Sequence, residues 1–324
     1  MRETKHRRVK QLVVVLLAVF LIAIALLLLN IWDSSQDIYQ SQSDNQAVVY
    51  QNTEYVLRPN VESFLFIGLD KFDDEVYADS YKNDQQADFL MLFVMDHDAQ
   101  KITAVHINRD TMTGINILGL NGNKVDTVIR QIALSHTYGN GKEVSCNNTV
   151  NSVSALLNDV KINHYLSMKM DGVAVLNDLV GGVEVTVLDT IDESLIQGEM
   201  VLLMGEQALR YVRARQGLED SSNLARMERQ KQYATALYEK LLASIEKDED
   251  FSIDAIAKLS DYTVSDRSAT QLKQLVNKIV DYEFEGIVSL DGKSTIGNEY
   301  VEFYADQDAI DKLVIDLFYN IKSE

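Results

Sequence analysis

Three runs between residues 64 and 110 decide the fold of this 324-residue chain: FLFIGLD (64–70), ADFLMLFVMD (87–96) and KITAVHINRD (101–110). All three read as β-strands, rich in Phe, Ile, Val and Leu and free of proline. Only His97, Asp98, Ala99 and Gln100 separate the last two, a connection of hairpin length. Apolar residues fill the second and third runs almost without alternation, so the sheet is expected to be covered on both faces.

The covering layers are read downstream. Val128, Ile129, Ile132 and His136 recur at helical spacing over 125–138, and the theme repeats over 150–157. HYLSMKM (164–170) reads as a strand, DGVAVLNDLVG (171–181) as a helix closing at Gly181, and GVEVTVL (182–188) as another strand. GEQALRYVRARQ (205–216) and LARMERQKQYATALYEKLLASI (224–245) read as helices joined by the polar loop GLEDSSN, with Ser222 or Asn223 as the cap of the second. Beyond EKDED (246–250), a strand pair is expected around EGIVSLDG and NEYVEFYA, then a last helix from Gln307. Strands alternating with helices place the chain in the α/β class.

Upstream, MRETKHRRVK carries five Lys/Arg and precedes an unbroken apolar run from Leu12 to Leu29. As a helix that run rises roughly 27 Å, near the thickness of a bilayer core, and Trp32 adds an interfacial aromatic. The basic flank predicts a single-pass anchor in the cell membrane with a cytoplasmic N-terminus and an extracellular C-terminal domain. A cleavable signal peptide would need a small-x-small site, where the chain has Asn30, Ile31, Trp32 and Asp33. The organisation read from sequence is a cytoplasmic basic tail over 1–10, an anchor over 11–32, a polar linker over 33–60, a main domain over 61–245 and a C-terminal α/β extension over 246–324.

The whole chain carries a formal charge of -19, and five of its 30 Lys/Arg sit in the basic tail, so the remainder is more acidic still. Duplex binding gains its affinity from a basic face and counterion release, so nucleic acid is not an expected partner. Cys146 is the single cysteine, which excludes an intramolecular disulfide and reads as a small buried hydrophobe.

Against that acidity, five arginines and no lysine fall within RYVRARQGLEDSSNLARMERQ (210–230). Guanidinium binds phosphate or carboxylate oxygens two at a time, so the cluster points to an anion site. Arg226, Arg229 and Gln230 share overlapping faces near a positive helix end. Arg213 and Arg215 point about 200° apart on a helix, so one of them faces the site, and Arg215 is the expected one. The alternative is a solvated face paired with Glu206, Glu219, Asp220 and Glu228. Arg109-Asp110 ends a strand, where charged side chains project into the crevice of an α/β sheet. Asp70 closes one strand and Asp88 opens another; if these run antiparallel, their carboxylates meet at one edge as the hard oxygen pair that Mg²⁺ takes. His97, His106, His136 and His164 lack metal-ligand spacing and read as structural.

The ordered segments IGLD, QADFLMLFVMD, ITAVHINRDT, QIALSHTYGNG, LVGGVEVTV, GEQALRYVRARQ and ARMERQKQ, spanning about Ser63 to Leu241, resemble the LytR-CpsA-Psr proteins of bacterial cell envelopes. The resemblance implies a single α/β/α sandwich with a mixed central sheet, an apolar pocket for a polyprenyl tail, and arginines at its mouth. It implies a phosphotransferase moving a glycopolymer from a polyprenyl-pyrophosphate carrier to a peptidoglycan hydroxyl, with Mg²⁺ assisting. Carried over by position, Asp70 and Asp88 hold the metal. Arg109, Arg213, Arg215, Arg226 and Gln230 contact pyrophosphate, with Arg109, Arg215 and Arg226 the catalytic group. The chain departs from the family pattern at Gln86-Ala87, where many members have Arg-Ser, at Gln131-Ile132-Ala133, where many have Lys-Ile-Asn, and at Asn223, where an acid is common. Those departures motivate one alternative, a lipid-carrier binding protein without turnover; a second alternative, in another enzyme class, is a lipid pyrophosphohydrolase. Transcription regulation ranks last.

Overall fold

The computed structural model describes residues 47–70, 83–214, 221–248, 250–297 and 300–322. Among these no helix is long and apolar enough to cross a membrane. The tail, the anchor expected over 11–32 and Arg215 lie outside the described residues, as do the side chains of Ser222 and Asn223. Contacts divide the chain into two units, Met1–Leu57 with Ile321–Glu324, and Arg58–Asn320.

In the first unit, residues assigned to a linker by composition form a hairpin, β1 (Val48–Tyr50) with β2 (Thr53–Leu57). Gln51 and Asn52 turn it with φ of 46° and 65°, the two positive values that a tight two-residue hairpin needs. Valines and a Tyr50–Tyr55 ring contact at 6.4 Å outweigh the polar composition around them.

The second unit begins with β3 (Val61–Leu69), β4 (Ala87–Asp96), β5 (Lys101–Ile107), β6 (Met112–Leu118) and β7 (Lys124–Gln131). Then come α1 (Glu143–Leu156), β8 (His164–Lys169), α2 (Asp171–Leu179), β9 (Val183–Thr186), β10 (Met200–Leu203), α3 (Glu206–Arg213) and α4 (Ser221–Lys247). It closes with α5 (Phe251–Leu259), β11 (Thr263–Ser265), α6 (Ala269–Ile279), β12 (Glu283–Ser289), β13 (Gly292–Ile296), β14 (Val301–Ala305) and α7 (Gln307–Phe318).

The central sheet is mixed, with order β11-β8-β3-β4-β5-β12. β3 is antiparallel to β4 and parallel to β8, β4 is antiparallel to β5, and β5 is parallel to β12. Strand parity divides the apolar runs between the two faces. Leu65, Ile67, Leu90, Leu92, Val105 and Ile107 point one way and pack with Cys146 and Val153 of α1 and Ile310 and Val314 of α7. Phe66, Phe89, Met91 and Phe93 point the other way, toward α2 and α4. Cys146 is fully buried, and burial pushes its thiol up to about 12.

Two expectations fail. The helix read over 125–138 is instead β7, paired antiparallel with β6, followed by a short 3-10 turn over Ile132–Thr137. Val125 and Ile129 are 70% and 65% exposed, so the apparent helical stripe is no buried face, and its valines and threonine suit an extended ribbon. The strand pair read near the C-terminus is also different. β12 joins the free edge of the central sheet beside β5, with Gly286 at φ 111° beside its bulge, and β14 pairs with the nearer β13. Residues 246–324, set apart in sequence as an extension, thus supply an edge strand of the sheet and a helix of its core.

Candidate functional site

The site forms where β3 and β5 end and the antiparallel β4 begins. Leu69 pairs with Ala87, so Asp70 and Asp88 come to one edge, as the strand reading required. The roof above that edge is helical. Tyr233 of α4 donates to Asn177 Oδ1 of α2 at 3.1 Å, and Asn177 Nδ2 donates to Leu203 O of β10 at 2.9 Å, which ties three elements over the sheet.

Two hollows sit under this roof. One, of about 170 Å³, is polar and walled by Asp70, Asp88, Met170, Val212, Arg213, Arg226 and Gln230. The other, of about 230 Å³, is apolar, walled on the sheet side by Phe66, Gly68, Phe89, Met91 and Phe93 and on the helix side by Leu176, Ala234, Leu237, Tyr238 and Leu241. They share Met170, Val212 and Gln230 as walls. Gly68 keeps the floor close, since a Cβ there would stand 2.9 Å from Phe89 Cβ.

The arginines separate by role. Arg226 and Gln230, four apart on one helix face, both reach the polar cleft and are 4% and 5% exposed. Arg229 turns away. Fully buried, it pairs with Asp189 at 2.6 Å and donates to Tyr211 O at 3.2 Å and to Ala214 O, satisfying carbonyls at the C-terminal end of α3. Arg213, not favoured by the sequence reading, lines the cleft and meets Asp70 at 2.7 Å. Arg210 lies elsewhere, exposed and paired with Asp192 at 3.3 Å.

Arg109 is not a wall of the cleft. It stands behind it, ion-paired to Asp88, donating to Gln86 Oε1 at 2.6 Å and lying 3.6 Å from Asp110. Gln131 donates to Asp110 Oδ1 at 2.9 Å and to Val301 O at 2.7 Å. The two glutamines, which stand where the sequence departs from the family pattern, therefore support Arg109, Gln86 by bonding it and Gln131 by bonding Asp110 beside it. No sequence signal identifies these partners, because Val301 is distant along the chain. Met170 and Val212, the walls common to both hollows, were also missed, being plain apolar residues.

The donor set fits Mg²⁺: Asp70 and Asp88 bring two carboxylates to one edge of a polar hollow, and Mg²⁺ takes one or two carboxylates while water and phosphate fill its other positions. Among the described residues no group of three or more His, Cys, Asp and Glu converges on a metal position.

His106 packs against Phe89 with ring centroids 4.9 Å apart and planes tilted by 42°, and its pKa falls to about 4 through burial first, then the charges of Arg226 and Lys231. Burial likewise lowers His136 to about 4, against the opposing effect of its bond to Gln85 O. Both rings are neutral in the fold and protonate more readily when unfolded, so their contribution is complete above about pH 6.5 and lost as pH falls toward 4. Urea unfolding from pH 6 to 5 is expected to show stability falling by up to about 1.4 kcal/mol per pH unit for each ring. A pH-independent midpoint across that window would contradict the burial. His97 and His164 line neither hollow; His97 bonds Glu62 at 2.9 Å and His164 bonds Asp266 at 2.8 Å.

A family model described as the LytR_cpsA_psr family matches residues 26–317. The chain belongs to that family. The match runs well past Leu241, where the motifs readable by eye stop. Cell wall biosynthesis protein LcpA of Corynebacterium glutamicum is 27% identical over 253 residues, 71% of this chain and 48% of LcpA. Polyisoprenyl-teichoic acid--peptidoglycan teichoic acid transferase TagU of Halalkalibacterium halodurans is 30% identical over 179 residues, 54% of this chain and 51% of TagU. The chain thus spans about half the length of these two relatives. Among solved structures, TagT bound to LI-WTA superposes with a TM-score of 0.60 at 19% identity, covering 80% of this chain and 89% of that one, which shows a shared fold. This LytR_cpsA_psr protein therefore has the mixed α/β architecture of its relatives, with both hollows built on its sheet.

Proposed function

We propose that this LytR_cpsA_psr protein is a membrane-anchored extracellular phosphotransferase that moves a glycopolymer from a polyprenyl-pyrophosphate carrier to a peptidoglycan hydroxyl. The observation that carries the reading is the pair of hollows sharing Met170, Val212 and Gln230: one has the apolar lining that a hydrocarbon chain needs and the other has Arg213 and Arg226, which a charged phosphate group needs. The names of the relatives LcpA and TagU agree with cell-wall chemistry. The N-terminal apolar run would keep the domain beside the membrane that holds the carrier.

In this reading the lipid tail enters between the sheet and α4, and the pyrophosphate lies against Arg213, Arg226 and Gln230. The attacking hydroxyl loses its proton to water and adds to the sugar-linked phosphorus, the bond to the lipid phosphate breaks, and the leaving phosphate takes its electron pair. Arg226 and Arg213 neutralise the charge that builds on those oxygens, which is most of what phosphoryl transfer asks of a protein. Arg109 positions Asp88, and Arg215 joins the grip by resemblance alone. Mg²⁺ bound at Asp70 and Asp88 would add positive charge beside the phosphates.

The test is transfer by the full chain with Mg²⁺, a lipid-pyrophosphate-linked glycan and peptidoglycan. Product above that of an Arg109→Ala, Arg226→Ala double variant supports the reading, and product equal to it overturns the reading. Phosphate release that needs no acceptor would instead mark a pyrophosphohydrolase. A narrower prediction concerns the apolar hollow. Ala234→Trp fills it from α4 and is expected to lower the polyprenyl lipid that copurifies from membranes by about tenfold, scored by mass spectrometry, because each displaced CH₂ forfeits about 0.8 kcal/mol. Undiminished lipid would place the tail elsewhere.

A further inference from the structure

The two hollows of the proposed lipid and phosphate site lie on one face of the central sheet. A third, of about 340 Å³, opens on the opposite face at the same edge. Strand parity puts it there. Leu69 and Lys169 line the third hollow, while the next residues, Asp70 and Met170, line the polar cleft. Gln85 lines it too, and its neighbour Gln86 accepts the bond from Arg109. The two clefts are back to back across the ends of β3 and β8, with consecutive residues in each.

The rim is held in a fixed shape. Asn83 Nδ2 donates to His136 O at 3.0 Å and Ser145 Oγ at 3.1 Å, and Gly141 N donates to the same Ser145 Oγ at 2.9 Å. Gly141 has φ 70°, and a Cβ there would stand 3.5 Å from Gln85 Oε1, so the glycine keeps the wall open where a side chain would narrow it.

The lining chemistry differs from that of the phosphate cleft. It has no arginine. Lys142 and Lys169 are balanced by Glu143 and Asp261, and Ser260 and Thr263 add hydroxyls beside the Tyr262 ring. Balanced charge, mixed donors and acceptors, and an aromatic face suit a neutral polyhydroxyl ligand better than a phosphate. The volume falls within the roughly 300–1,000 Å³ of small-molecule sites. We propose that this hollow binds a saccharide, the unit that carries the acceptor hydroxyl, and presents it across the ends of β3 and β8 to the polar cleft. The acceptor role rests on the transferase reading; the saccharide site does not.

The probe is chitotetraose, a β-1,4-linked N-acetylglucosamine oligomer, titrated calorimetrically into the full chain in detergent. Wild type is expected to bind it, Lys142→Ala with Tyr262→Ala to bind at least tenfold more weakly at an unchanged unfolding midpoint, and Arg226→Ala to bind as wild type does. Should the double variant unfold, Ser260→Trp at an exposed rim position blocks the same hollow and is expected to give the same loss. No binding by wild type, equal binding by the blocked variants, or loss on Arg226→Ala each overturns the proposal. Saccharide binding by a wild-type chain that transfers nothing would support the site and sink the transferase reading instead.

Discussion

Arg226→Ala is expected to lower kcat/KM for glycan transfer by about 10²–10³-fold, the range seen when one charge-stabilising donor is removed from a transition state. Arg226 is 4% exposed and sits on the first turns of α4, so its charge acts in a site with little water to screen it. Arg226→Lys keeps the charge and loses the planar fork, and is expected to recover only part of the rate. The check is steady-state kinetics on the full chain in its own lipid. Equal losses in kcat and kcat/KM would place the interaction in the transition state; a rise in KM alone would make Arg226 a binding residue. Activity within threefold of wild type would remove the polar cleft from the mechanism.

Arg229→Ala is expected to cost about 3–5 kcal/mol of stability, although the residue is only three positions along the chain. The substitution leaves Tyr211 O and Ala214 O without their donor and Asp189 without its partner. Asp189 is 33% exposed and can recover some hydration, which favours the lower end of the range. Urea unfolding should show a reduced midpoint at an unchanged slope. A loss under about 1 kcal/mol would mean that Arg229 does not hold α4 against α3. The neighbouring arginines therefore fail differently, Arg226 in rate and Arg229 in stability.

The strands were legible because β-rich apolar runs of that length have few other readings, whereas the meeting of Asp70 and Asp88 hung on β3 and β4 running antiparallel, which the pairing of Leu69 with Ala87 settles. The helix α4 was legible for its length. β7 was not, since Val125, Val128 and Ile129 fit a helical interval as well as a strand, and only its partner β6 settles the choice. The apolar hollow was illegible at residue level. Phe66 and Phe93, which line it, read no differently in sequence from Leu65 and Leu92, which pack the core. Helical spacing grouped Arg226, Gln230 and Arg229 together, yet Arg229 serves the end of α3, a partner brought near by packing.

The sequence by itself determined the family, the α/β class and the β4–β5 hairpin, because ordered motifs, side-chain period and hairpin length are local properties of the chain. Tertiary structure alone decided that one apolar face is filled and the other hollow, that Asp70 meets Asp88 at one edge and Arg213 beside it, and that Gln86 bonds Arg109 while Gln131 bonds Asp110. Those outcomes depend on which distant groups packing brings within hydrogen-bond reach. Gln131 and Val301 carry no mark of each other until the fold puts them 2.7 Å apart.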